Sequence, residues 1–225
     1  MDGDHLVIIV NNIFLKVLNL VTHLNVCVEL IILVQEDGHG ENGSIHMIYL
    51  ISDTHWAHAN IMKYCNRPQL TVDAMDAEMF KNWNDTVKPE DEVWHLGDVG
   101  CWFKDPTWIK TFLPLLNGKK FLVPGNHDRR TLQEMKKYFT VMPPIHNIRF
   151  KHEDAGDVSI VLCHYPIWSW EGKFHGSIHC YGHTHAHVEE LGPQAVHVGV
   201  DTNAFKPIST DEIVTLVTQR LISHT

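Results

Sequence analysis

The stretch KFLVPGNHD, residues 120–128, places a short apolar run directly before a polar turn. The run Lys120–Val123 predicts a β-strand, which the following proline and glycine end. The turn then supplies an amide, an imidazole and a carboxyl group in succession, as Asn126, His127 and Asp128. Ligand-binding loops of open α/β sheets lie at strand ends. The stretch therefore predicts an α/β domain with a polar site at the end of this strand.

Four further polar clusters follow predicted strands in the same way. The other strands are predicted at Met47–Ser52, Glu92–Leu96, Ile145–Lys151, Val158–His164, Ile178–Tyr181 and Ala195–Val200. The clusters at strand ends are Asp53-Thr54-His55, Gly97-Asp98, His164 and Gly182-His183-Thr184-His185. One histidine after a strand is more often a surface or core residue than a ligand. Five such clusters in this order indicate a shared site.

Helical patterns separate the early strands and close the chain. Residues 72–87 repeat apolar side chains at helical spacing, and Asp105-Pro106 is typical of a helix start. Ser209–Glu212 predicts a capping box for a final helix. Alternating strands and helices, followed by a strand-rich half, predict a mixed α/β layered domain.

Composition and charge exclude several classes of protein. The 225 residues, 44% of them apolar, fit one globular catalytic domain. The net charge is −9 and no lysine or arginine block occurs, which argues against a duplex-binding or membrane-surface protein. The five cysteines are widely spaced and form no Cys-x-x-Cys pair, which favours a reducing cytoplasm over a disulfide framework or zinc ribbon. The 18 histidines are the abnormal feature.

The first 46 residues differ from the rest of the chain. Polar side chains interrupt the apolar segment 5–34, so it predicts no membrane span. The acidic start, with Asp2 and Asp4, is not that of a signal peptide. A polar, glycine-rich linker at Glu36–Ser44 then leads to Met47. We therefore predict an extension of unknown role at 1–46, which an expression or start-site artefact would also explain, and a catalytic domain at 47–225.

The order of the five clusters resembles that of the calcineurin-like metallophosphoesterase superfamily. That pattern is Asp-x-His, Gly-Asp, Gly-Asn-His-Asp or -Glu, His, and Gly-His-x-His, and all five elements are present here. The likeness is to a compact bacterial and phage branch and covers about residues 47–217. It implies a central β-sandwich of mixed sheets flanked by helices, and metal-dependent hydrolysis of a phosphate ester.

The resemblance also implies a ligand set for two metal ions. The first ion would be held by Asp53, His55, Asp98 and His185, and the second by Asp98, Asn126, His164 and His183. Asp98 would then bridge the pair. Four imidazoles, two carboxylates and one amide favour divalent transition metals, with manganese first and iron, zinc or nickel as alternatives, over magnesium or calcium.

The same resemblance implies how the reaction would run. Hydroxide bridging the two ions would attack phosphorus, since the cations lower the pKa of water. His127 would donate a proton to the leaving oxygen, and Asp128 would orient the His127 ring. Phosphodiesterase and phosphatase activity both stay open.

Two further residues are weaker candidates for substrate binding. His58 could face the phosphate, or be a capping or surface histidine. Arg67 could clamp a phosphate with its guanidinium, or be a solvent-exposed arginine. The substrate is expected to be a small phosphate ester, with nucleotides and nucleic-acid ends included, and the sequence indicates no protein partner and no membrane association.

Two alternative functions for a chain with these motifs involve no catalysis. A degenerate scaffold with this fold would usually have lost a ligand or the proton donor, and none is missing here. A histidine-rich metal-buffering protein would carry its histidines in tracts, whereas these lie at separate strand ends beside Asp and Gly.

Overall fold

The structure is a computed structural model that describes residues 46–100, 111–187 and 190–223. The predicted extension 1–46 lies outside the described residues except for His46. The helix start predicted at Asp105-Pro106 lies outside them as well. Among the helices in the described ranges, none combines the length and apolar character needed to cross a bilayer.

Two mixed sheets form the centre of the domain. Within the described ranges the strands are β1 (Ile48–Ile51), β2 (Glu92–His95), β3 (Lys119–Leu122), β4 (Thr140–Val141), β5 (Ile145–His152), β6 (Gly156–Cys163), β7 (Ile178–Tyr181), β8 (Ala195–His197) and β9 (Ile208–Ser209). The first sheet has the order β4-β3-β2-β1-β9, with β9 alone antiparallel to its neighbour. The second has the order β5-β6-β7-β8, and its β5–β6 pair is antiparallel.

Four α-helices accompany these sheets in the described parts of the chain. They are α1 (Ala59–Tyr64), α2 (Val72–Thr86), α3 (Leu132–Met135) and α4 (Thr210–Ser223). The Thr71 side chain caps α2 by accepting from Ala74 N at 3.1 Å. The predicted capping box of α4 is confirmed, because Glu212 N donates to Ser209 Oγ and Ser209 N donates to Glu212 Oε2.

Alternation along the strands of the first sheet divides the apolar core into two layers. Leu50 and Trp94 point into a cluster shared with the second sheet and α4, whereas Ile51 and Val93 point into a cluster with α2. The inter-sheet layer includes Ile160, Leu162, Val196, Ile213 and Val217. Two mixed sheets with a shared core and flanking helices confirm the predicted fold class.

The two sheets also meet at the ends of their strands. Ser52, just after β1, forms a parallel bridge with Gly199, just after β8. Val200 N donates to Ser52 O at 3.0 Å. The polar loops that follow β1 and β8 are therefore held side by side.

Candidate metal centre

Backbone hydrogen bonds join the loops that carry the predicted ligands. Asp53 N donates to Gly97 O and His55 N donates to Asp98 O, both at 3.1 Å. In the second sheet, Gly182 N donates to His164 O at 3.0 Å. Because parallel strands end at the same edge of a sheet, these bonds bring residues far apart in sequence to one place.

Most of the predicted ligands have a left-handed backbone. Five non-glycine ligand candidates have φ between 47° and 69°: Asp53, His55, Asp98, His183 and His185. Each such residue costs roughly 1–3 kcal/mol and persists only where its surroundings fix it. The surrounding hydrogen bonds fix it here, so the loops turn sharply and direct these side chains toward one another.

The first group of ligand atoms belongs to Asp53, His55 and His185, and these atoms lie within 4.8 Å of one another. The Asp53 carboxylate accepts from Ser52 Oγ at 2.6 Å and from His183 N at 2.9 Å. The His185 ring donates through Nδ1 to Asp201 Oδ2 at 2.8 Å. Hydrogen bonds with neighbouring groups therefore fix the Asp53 carboxylate and the His185 ring in place.

The second group consists of Asp98, His164 and His183, again within 4.8 Å of one another. His164 Nδ1 donates to the Leu96 carbonyl at 2.7 Å, so the proton of a neutral ring lies on Nδ1. His164 Nε2 then carries a lone pair, yet it lies 3.1 Å from Asn126 Oδ1. Two acceptors this close fit a cation between them.

The Asp98 carboxylate lies between the two groups. Its Oδ2 is 3.6 Å from His55 Nε2 on one side and 3.6 Å from His164 Nε2 on the other. Its Oδ1 accepts from His127 N at 2.9 Å. His55 Nε2 is buried and has no hydrogen-bond partner, so a cation would complete its coordination. The donor set therefore fits bound divalent metal, with Asp98 placed between the two groups.

Burial controls the charge state of these side chains. It raises the pKa of Asp53 to about 7, and it raises the pKa of Asp98. It also lowers the pKa of His164 to about 4. Burial and neighbouring cationic groups lower the pKa of His55 as well. Burial alone would lower the pKa of His185, but its hydrogen bonds with Asp201 and Cys65 and the nearby charge of Asp53 raise it to about 10. Neutral imidazoles are the form that binds metal, so bound cations would displace protons from this ring as well as from the carboxyl groups.

Glycine lets the backbone approach the two carboxylates closely. A Cβ on Gly125 would collide with Asp98 Oδ1 and lie 2.7 Å from Asp98 N. A Cβ on Gly182 would collide with Asp53 Oδ2 and Ser52 Oγ. The glycines of the Gly-Asn-His-Asp and Gly-His-x-His motifs are thus needed for space around the ligands.

His127 lies at the open side of the centre. Its side chain is 48% exposed, and its Nε2 is 3.9 Å from Asp98 Oδ2. The half-buried His58 is beside it, with ring centroids 6.3 Å apart, and His58 Nδ1 lies 3.4 Å from His55 Nδ1. Both rings are thus next to side chains of predicted ligands.

The expected orientation of the His127 ring by Asp128 is wrong. Asp128 is fully buried, and its carboxylate accepts from the backbone N–H groups of Gly125, Asp98 and Val99 at 2.8–3.1 Å. The chain folds into a 3₁₀ turn at Asp128, so the carboxylate points back into the loop. Its observed contacts fix the backbone of the loops that carry Asp98 and Asn126.

Both predictions for Arg67, a phosphate clamp and a solvent-exposed arginine, are also wrong. The residue is 6% exposed, and its guanidinium donates to Asp201, to the carbonyls of Asp53 and Thr54, and to Met75 Sδ. These contacts use all five N–H groups of the side chain. No donor is left to clamp a phosphate.

Two residues near the ligands were missed by the sequence reasoning. Asp201 lies in a 3₁₀ turn at Val200–Thr202 and contacts His185. The available signal was its position directly after the strand predicted at Ala195–Val200. Tyr165 packs its ring edgewise on His164 and His183, with centroids 5.0 and 4.8 Å away. It directly follows a predicted ligand, although no spacing rule distinguishes it from a core tyrosine.

The fold and the site define an α/β domain whose strand-end loops bring together side chains suited to bind divalent metal. Residues 46–187 match the family model described as calcineurin-like phosphoesterase. The chain belongs to this family. Membership implies metal-dependent hydrolysis of phosphate esters.

Three similar proteins extend this comparison. An uncharacterised protein of Methanocaldococcus jannaschii is 35% identical over 188 residues, which cover 81% of this chain and 97% of that protein. The gene 66 protein of Mycobacterium phage L5 is 26% identical and covers 75% of this chain and 93% of its own length. A crystal structure of a protein of unknown function from Aquifex aeolicus has a TM-score of 0.61 and 28% identity, over 76% of this chain and 99% of that one.

Proposed function

We propose that this chain hydrolyses a small phosphate ester at a centre of two divalent transition-metal ions, with His127 as the proton donor. Manganese is the proposed metal, and iron, zinc or nickel suit the same mixed nitrogen and oxygen donors. The substrate class includes phosphodiesters, phosphomonoesters, nucleotides and nucleic-acid ends. We place the reaction in a reducing cytoplasm, in keeping with the free thiols of Cys65, Cys163 and Cys180.

The position of Asp98 is the observation that carries the proposal. One of its carboxylate oxygens is equally distant, at 3.6 Å, from an imidazole nitrogen in each ligand group. A carboxylate between two groups of imidazole side chains is suited to offset the repulsion between two cations. A single-ion site would need only one of these groups.

The metal ions and the two histidines beside them have different roles in the proposed reaction. Bound divalent cations would lower the pKa of water and polarise the phosphate oxygens. The position of His127 supports the role of a general acid, because its ring is half-exposed and its Nε2 lies 3.9 Å from Asp98 Oδ2. His58, beside His127, is proposed to face the phosphate.

Metal content and hydrolysis together test the proposal. Protein reconstituted with manganese should hold close to two ions and release nitrophenolate from bis-p-nitrophenyl phosphate or p-nitrophenyl phosphate. The Asp98→Asn variant should hold less metal and hydrolyse neither ester, since both ligand groups share this side chain. Full activity with a single tightly bound ion would contradict the two-ion centre, and two bound ions without hydrolysis would favour the scaffold alternative.

A further inference from the structure

The side chain of Asp201 lies next to the first ligand group and accepts three hydrogen bonds. Its Oδ1 accepts from Arg67 Nε at 2.8 Å, and its Oδ2 accepts from Arg67 Nη2 at 3.0 Å and from His185 Nδ1 at 2.8 Å. The exposed fractions of the Asp201 and Arg67 side chains are 3% and 0%. A buried, bidentate carboxylate–guanidinium pair of this kind fixes both partners in orientation as well as in charge.

The contact from His185 to Asp201 also determines which ring nitrogen is free. A carboxylate only accepts hydrogen bonds, so His185 Nδ1 must carry the proton. The lone pair of a neutral ring is then on Nε2. Asp201 therefore holds His185 in the tautomer that leaves Nε2 to coordinate a metal ion.

Arg67 extends this support to the loop after β1. Its Nη2 donates to Asp53 O at 2.7 Å and its Nη1 donates to Thr54 O at 2.9 Å. That loop carries Asp53 and His55, so the Arg67–Asp201 pair touches or adjoins all three members of the first group. The hydrogen bonds of Arg67 and Asp201 within the described ranges include none to Asp98, Asn126, His164 or His183.

We propose that Arg67 and Asp201 are positioning residues for the first ligand group, and that they set its metal affinity without changing that of the second group. The inference rests on the two-ion centre of the proposed function. Loss of an outer partner of a metal-binding histidine typically lowers metal affinity about 10–100-fold. Here that loss should be confined to one of the two ions.

Variants that leave only one group intact distinguish the two ions. In a His164→Ala background, which retains the first group, Asp201→Asn should weaken manganese binding about 10–100-fold. In a His55→Ala background, which retains the second group, the same change should leave the affinity unaltered. Affinities are measured by calorimetric titration with manganese alone, so the readout does not depend on hydrolysis.

Matched controls separate this role from general stability. Asp91→Asn changes another buried carboxylate, whose oxygens accept from Met47 N and Lys88 N. Arg220→Lys changes another arginine, which donates to Ala195 O. Both controls should keep the parental affinity in each background. Arg67→Lys should reproduce the selective loss even if Asp201→Asn fails to fold, because an ammonium group cannot replace five N–H donors in a planar fork.

The outcomes separate failure of this inference from failure of the proposed function. Unchanged affinity in the His164→Ala background, or an equal loss in both backgrounds, would overturn the positioning role. A parent protein that binds no manganese would overturn the metal centre itself.

Discussion

Replacing His127 by alanine removes an imidazole from the open side of the centre and leaves the backbone intact. In the part of the chain that the structure describes, the only direct hydrogen bond from His127 to a candidate ligand is made by its main-chain N–H, which donates to Asp98 Oδ1 at 2.9 Å and persists in alanine. The ring is 48% exposed and lies 3.9 Å from Asp98 Oδ2. His127→Ala should therefore keep its metal.

The expected loss of rate depends on the leaving group. A general acid contributes about 10²–10⁴-fold, which is about 3–5 kcal/mol of transition-state stabilisation. A poor leaving group, such as an alkoxide, needs the proton and should lose this full factor. A good one, such as nitrophenolate, carries the charge itself, so its rate should fall by less than about tenfold.

The assay compares kcat/KM for a series of aryl phosphodiesters whose leaving phenols differ in pKa. The slope of log kcat/KM against leaving-group pKa should become steeper in His127→Ala than in the parent, with metal content measured for both. His175→Ala changes an exposed histidine of the 3₁₀ turn Lys173–His175 and should leave slope and metal unchanged. A parallel displacement of the line, or loss of metal as in Asp98→Asn, would refute the general-acid role.

Two other substitutions probe the space and the protonation around the site. Gly125→Ala should lose metal and activity, because the new Cβ would collide with Asp98 Oδ1, whereas Gly156→Ala, with nothing within 4 Å of the added Cβ, should retain its metal; equal metal content would contradict this. Burial lowers the pKa of His95 to about 3, below its ordinary 6.5, so the unfolded chain binds the proton more tightly. Stability should therefore be complete above about pH 6.5 and fall by up to about 1.4 kcal/mol per pH unit below it. The melting temperature of His95→Gln should depend less steeply on pH between 7 and 5. An unchanged slope would exclude His95 as a source of the pH dependence of stability.

The long periodic elements were predictable because their side-chain patterns extend over several repeats. Helix α2, at Val72–Thr86, and the eight-residue strand β5, at Ile145–His152, lie within one residue of their predicted bounds. Strands β4 and β9 have two residues each, which is too few to display alternation. The six-residue helix α1 follows His58, which makes no side-chain capping bond, so no start signal marks it.

Convergence of the ligand candidates was predictable for a different reason. Parallel strands end at one edge of a sheet, and each motif is placed directly after such a strand, so topology brings the motifs together. The tautomers of His164 and His185 could not be read in this way. They depend on acceptors 68 and 16 residues away, the Leu96 carbonyl and the Asp201 carboxylate.

The two incorrect residue roles share a physical origin in the backbone of the ligand loops. Residues in the left-handed conformation, such as Asp53 and Asp98, interrupt the regular strand ladder, and buried backbone groups there still need partners. Asp128 supplies acceptors for three N–H groups of these loops, and Arg67 supplies donors for two of their carbonyls. A charged residue beside a metal motif is therefore as well explained by the hydrogen bonding of the sharp turns that orient the candidate ligands as by contact with a substrate. Sequence motifs indicate the candidate ligands, but only the hydrogen bonds of the folded loops distinguish a side chain that is free to contact a substrate from one that completes the hydrogen bonding of the backbone.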